Sequence, residues 1–137
     1  MSSLLAITTN MASKTYRVLT WNVNGLRTRF PDLHSYVITH RPDIIALQEV
    51  GPEVPPLTGY VSHVLGCNDG SGRGLAMFLK CGLPITLKDK GKCNGTEFIV
   101  VALYTQSDVI LFANLYVHAG AFHVADIPDC VLEEKCI

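Results

Sequence analysis

The sequence predicts an α/β fold, and three observations carry the prediction. Residues 44–47 are continuously apolar, as a strand covered on both faces is, and residues 16–21 have the β-branched and aromatic content of a strand. Between these two runs lies one stretch with helical spacing. After residue 49 the helical period gives way to a series of short strand candidates separated by turn residues.

The first strand, residues 16–21, leads into Trp21-Asn22-Val23-Asn24-Gly25-Leu26-Arg27. Phe30, Leu33, Val37 and then His40 or Arg41 recur at helical spacing. Pro31 suits the first turn of that helix, and Pro42 ends it because the residue before a proline is pushed out of the α region. The second strand closes on Ile44-Ile45-Ala46-Leu47-Gln48-Glu49. Strand, helix, strand calls for a right-handed crossover. Parallel strands would then bring Asn22, Asn24 and Glu49 to one edge of the sheet, where open α/β folds bind ligands.

Past Glu49 the pattern predicts a β-meander. A proline-marked loop at residues 51–56 precedes strands at 60–65, 75–80, 97–104 and 109–116. Turn signals at Asn68-Asp69-Gly70, Lys90-Gly91, Asn94-Gly95 and Gln106-Ser107-Asp108 separate them. Gly70-Ser71-Gly72-Arg73-Gly74 lacks the Walker spacing and opens no helix, so it reads as a flexible hairpin connection and not as a phosphate cradle.

A chain of 137 residues can form one domain with a real core, and 48% hydrophobic with 17% charged residues is on the apolar side for a soluble one. A net charge of -1 argues against a generally basic nucleic-acid binder. The charge is uneven, however: Lys14, Arg17, Arg27 and Arg29 share a stretch with no acid, while Asp126, Asp129, Glu133 and Glu134 crowd the tail. The five cysteines are odd in number and lack CxxC spacing, which supports neither a zinc site nor a disulfide framework and predicts reduced thiols inside the cell. The apolar run at residues 4–7 is short and has no basic residue before it, so neither a signal peptide nor a membrane anchor is expected.

Three motifs carry a family resemblance. WNVNGLR, then IIALQE, then Asn114-Leu115-Tyr116-Val117-His118-Ala119-Gly120 resemble the first three motifs of the endonuclease/exonuclease/phosphatase superfamily. The branch they look most like is that of exonuclease III and the apurinic endonucleases, and within it the endonuclease domain of non-LTR (LINE-type) retrotransposons. Asn24, where apurinic endonucleases often carry Asp, tilts the resemblance toward the retrotransposon type. The resemblance implies a four-layered α/β sandwich, two mixed β-sheets flanked by helices, of which this chain holds the N-terminal half. The expected division is a disordered segment at 1–14, a partial domain at 15–120 and a divergent tail at 121–137.

The same resemblance implies roles. Asn22 orients the substrate or a neighbouring group, Glu49 binds the divalent metal (Mg2+ or Mn2+), and Tyr116 contacts the scissile phosphate; Asn24 and Arg27 are the substrate-binding candidates. The partners implied are DNA and the missing C-terminal half of the domain, in an intracellular and nuclear setting with no membrane. The family's Gly-Asp-Phe-Asn motif, which supplies the water-activating Asp, and its Ser-Asp-His motif do not occur in the 137 residues. Asp126 and Asp129 lack the flanking residues of that motif, and His118 reads as a surface-loop histidine. The expected function is therefore a truncated metal-dependent phosphodiester hydrolase domain, inactive alone. The alternatives are a catalytically dead remnant that binds nucleic acid or a partner, and another phosphodiesterase or phosphatase of the superfamily, such as a phosphoinositide phosphatase, a sphingomyelinase or a deadenylase.

Overall fold

The computed structural model of the chain describes residues 4–11, 14–66 and 74–117. The expectations at Gly70-Ser71-Gly72-Arg73, His118, Asp126 and Asp129 lie outside the described residues. The elements run β1 (Leu4–Met11), β2 (Lys14–Asn22), α1 (Leu26–His40), β3 (Ile44–Gln48), β4 (Tyr60–Leu65), β5 (Leu75–Lys80), β6 (Ile85–Cys93), β7 (Thr96–Tyr104) and β8 (Val109–Val117). They form a five-stranded sheet in the order β1-β2-β3-β5-β4 and a three-stranded sheet in the order β6-β7-β8. β2 and β3 are parallel, and every other pairing is antiparallel.

Alternation along β3 explains the layers. Ile45 and Leu47 face α1, where Leu26, Leu33 and Val37 pack with Leu19 and Phe78. Ile44 and Ala46 face the other way, joining Leu75, Met77 and Leu79 against Ile99 and Val101 of the second sheet. A strand covered on both sides has no polar face to show, which is why this run reads as continuously apolar. The described residues thus make three layers, helix on sheet on sheet. The α/β class holds, whereas the second sheet is antiparallel throughout its described strands and not mixed.

Three elements depart from expectation. The segment expected to be disordered contains β1, which pairs with β2 from Leu4↔Trp21 to Met11↔Lys14; its Ile7-Thr8-Thr9 run suits an extended backbone and the open edge of β2 supplies the ladder. Helix α1 begins at Leu26, so Pro31 lies inside it and not in its first turn. The early start is possible because the amides of Gly25 and Leu26 find acceptors outside the helix, on the Glu49 and Val50 carbonyls at 2.8 and 2.9 Å. Strand β6 runs through Lys90-Gly91, where the sequence predicts a turn. Its alternation is broken by a bulge between Leu87 and Asp89 and by Gly91, which leaves room for the Phe98 ring. The meander is accordingly split, with β4 and β5 in the first sheet and β6, β7 and β8 in the second.

Cys81 is a free, exposed thiol, but Cys93 is disulfide-bonded, against the expectation of reduced thiols. An odd count and the absence of CxxC spacing carry no information about a bond between cysteines that have no fixed spacing. No helix among the described residues is long and apolar enough to cross a membrane.

The end of the sandwich opposite the motifs is tied at Asp43. Its carboxylate accepts from the Arg17 amide at 2.8 Å, and the Tyr60 hydroxyl donates to the neighbouring Pro42 carbonyl at 2.5 Å. Burial, and then the Asp43 charge, push the Tyr60 phenol up to about 12 from an ordinary 10.0. The folded state therefore holds this proton more tightly than the unfolded chain does. Its stabilisation is fully present below about pH 10 and is lost as pH rises toward 12. Urea midpoints measured at pH 9 and pH 11 should fall more steeply for the native chain than for Tyr60→Phe; equal slopes would refute the assignment.

Candidate active site

The parallel register sets Asn22 beside Gln48, so both strands end together and their next residues form one rim. The Val23 amide continues the ladder by donating to the Gln48 carbonyl at 3.0 Å. The rim is then bent by backbone in the left-handed region: Asn24 at φ 50, Gly25 at φ 97, Glu49 at φ 55 and Gly51 at φ 83. Glycine adopts these angles freely, but Glu49 holds them at a cost of about 1–2 kcal/mol. The bend aims the Glu49 carbonyl at the Gly25 amide, 2.8 Å away, and the Val50 amide at the Gly74 carbonyl, 3.2 Å away. Gly25 caps α1 without any side-chain hydrogen bond. The loop after β3 thus replaces a side-chain cap and is locked to the start of the helix.

The second sheet completes the site. From β8, the Tyr116 hydroxyl donates to Glu49 Oε1 at 2.9 Å, joining the two sheets through the residue singled out in each. Asn114, two residues earlier on the same face, is buried; its amide nitrogen donates to the Leu47 carbonyl at 3.0 Å and the Ala76 carbonyl at 3.2 Å. Its Oδ1 accepts from Gln48 Nε2 at 2.7 Å, and the same nitrogen donates to Thr20 at 3.1 Å. A buried amide with both ends occupied fixes one arrangement of the strands it touches. Asn114 therefore sets the height at which Tyr116 meets Glu49.

Asn22, Glu49 and Tyr116 are gathered at one end of the molecule. Asn24 and Arg27 stand on the exposed rim. Arg27 pairs with Glu53 at 3.7 Å, but with their side chains 81% and 62% exposed this pair holds the guanidinium only weakly. The sequence reading missed Gln48, Asn114 and Glu97. The first two sit inside quoted motifs, yet nothing in a strand pattern says that an amide bridges two sheets. Glu97 is 1% exposed and occupies an otherwise apolar strand, which was the available signal.

Two side-chain oxygens among the described residues are buried without a partner, Asn22 Oδ1 and Glu97 Oε1. An uncompensated buried acceptor is costly, and amide and carboxylate oxygens are the donors a hard divalent cation takes. No group of three His, Cys, Asp or Glu side chains among the described residues is gathered closely enough to hold an ion. Glu49 with Asn22 suits an ion such as Mg2+, which is held by one or two carboxylates and completes its shell with waters and substrate oxygens.

Comparison with known proteins agrees with this geometry. Over 59 residues the chain is 37% identical to a Drosophila melanogaster protein described as a probable RNA-directed DNA polymerase from transposon X-element, covering 41% of this chain and 6% of that protein. The fold is similar to that of the AP endonuclease LMAP from Leishmania major, with a TM-score of 0.64, 21% identity, and 87% of this chain matched to 45% of the other. The chain thus spans under half of its structural neighbour and a small part of the transposon protein. Residues 19–128, which include both strand-end motifs and β8, match the family model described as Endonuclease/Exonuclease/phosphatase family, and the chain belongs to that family.

Proposed function

We propose that the chain carries the N-terminal half of a divalent-metal-dependent DNA endonuclease domain of the retrotransposon type. The observation that carries this reading is the 2.9 Å bond from the Tyr116 hydroxyl to Glu49 Oε1, made across two sheets, with the unpartnered Asn22 oxygen at the end of the strand paired with β3. The names of the transposon relative and of the AP endonuclease neighbour support DNA as the substrate class. In this reading Glu49 is the metal ligand, Asn22 orients the group it faces, and Tyr116 holds the carboxylate while its phenol lies ready for the scissile phosphate. Asn24 and Arg27 take the DNA backbone at the rim. When bound, Mg2+ or Mn2+ offsets the charge that develops on the phosphate oxygens. A DNA substrate supports a nuclear setting for the protein.

The partial domain, residues 15–120 on the motifs and extended by β1 at its edge, needs a complementary half. Val18 and Thr20 of β2 and Phe112, Ala113 and Leu115 of β8 border a cleft of about 430 Å³ between the sheets, which supports a position for that half along this flank. Hydrolysis needs a base to activate water, and no motif among the 137 residues supplies one. Purified chain with Mg2+ should leave supercoiled plasmid and abasic-site DNA uncut above background, while a fusion to the C-terminal half of a related domain should nick plasmid. Robust nicking by the chain alone, abolished by Glu49→Ala, would overturn the need for a second half. A fusion that folds but neither nicks nor binds the cation would leave the remnant reading in its place.

A further inference from the structure

Strands β6, β7 and β8 place Lys92, Glu97 and Tyr116 in one row, because Lys92 is the register partner of Glu97 and Glu97 that of Tyr116. Directly opposed residues of antiparallel strands stand on the same face with β-carbons about 5 Å apart. The row continues into the first sheet, since the Tyr116 hydroxyl donates to Glu49 Oε1. Glu97 therefore lies one strand away from the tyrosine that touches the proposed metal ligand. It is 1% exposed, its Oε2 is 3.5 Å from Lys92 Nζ, and its Oε1 has no partner.

We propose that Glu97 is a second carboxylate of the divalent-cation site, accepting from the ion's hydration shell from the second sheet while Glu49 holds the ion from the first. This inference rests on the reading of Glu49 as a metal ligand. A buried acid serving only to hold strands together would have both oxygens occupied, and here one is. Its empty oxygen is also not an isolated packing defect. The two unpartnered buried side-chain oxygens among the described residues belong to Asn22 and Glu97, one in each sheet: Glu97 is the register partner of Tyr116, and Asn22 is the register partner of Gln48, the residue before Glu49. Two buried acceptors without donors, at the strand ends that flank the Tyr116–Glu49 contact, call for a cation or for the waters it carries. Lys92, whose side chain is half exposed, is the counter-charge of Glu97 when no ion is present and competes with the ion when one arrives.

The test uses the whole 137-residue chain and Tb3+ as the probe, its emission sensitised by the tyrosines and Trp21 and its displacement by Mg2+ measured. Glu97→Gln should weaken Tb3+ binding ten- to a hundredfold, as loss of an outer partner does, and Glu49→Gln should weaken it further. Lys92→Met should tighten binding. If Glu97→Gln binds Tb3+ like the parent while Glu49→Gln does not, the inference about Glu97 fails and Glu49 stands. If the parent binds no Tb3+, or binds it indifferently to both substitutions, both readings fall. Should Glu97→Gln lose its far-ultraviolet circular dichroism, Lys92→Met decides the matter, and an affinity no tighter than the parent's would overturn the proposal.

Discussion

Glu49→Gln, placed in a chain completed by a complementary half, is expected to lower the rate of plasmid nicking about a thousandfold, or about 4 kcal/mol in barrier. Glutamine keeps the length of the side chain and an oxygen that still accepts from Tyr116, so the bond between the sheets survives. The charge that holds a hard cation does not. The loss should therefore appear with the fold intact and should be partly recovered by raising Mg2+. Asn22→Ala should also slow turnover, but through misplaced geometry, so added Mg2+ should rescue it less. An unmutated rate with unchanged Mg2+ dependence in Glu49→Gln would reduce Glu49 to the polar end of a strand.

The second large effect is on stability. Asn114→Ala should cost about 3 kcal/mol, because it removes three hydrogen bonds at once and leaves the Leu47 and Ala76 carbonyls facing a hole. Against a total of roughly 5–15 kcal/mol this is a large fraction, and it should move the urea midpoint sharply without changing the slope. Asn114→Asp should be worse at neutral pH, since it turns a carboxylate oxygen toward those two carbonyls, and should recover as pH falls and the acid gains a proton to donate. A variant with an unshifted midpoint would mean that the sheets are held by their apolar contacts alone.

Local chemistry made part of this molecule legible. Strands β4 and β5 begin and end where turn residues and alternation put them, and the parallel pairing of β2 with β3 follows from one helix between two apolar runs. The start of α1 was hidden because its cap is made by a distant backbone loop, and a proline expected in the first turn draws the start toward Phe30. Strand β6 was hidden by its bulge and β1 by its reliance on a neighbouring edge. The motifs named Asn22, Glu49 and Tyr116. What joined them, Asn114 and Gln48, could not be read because the partners are 66 residues apart and belong to different sheets. Periodicity reports the face on which a side chain lies, and not which atom of another strand it will meet.

The spacing of that bridge also bears on how the chain is made. Glu49 and Tyr116 are separated by 67 residues, so at a synthesis rate of roughly 5–20 residues per second the ribosome needs about 3–13 s to pass from one to the other. During that interval the nascent first sheet has its helix but not its second cover, and the face formed by Ile44, Ala46, Leu75, Met77 and Leu79 is open to water as each residue emerges. A chaperone that binds short apolar strands would find its substrate in this window, and release would come when β7 and β8 close over the same face.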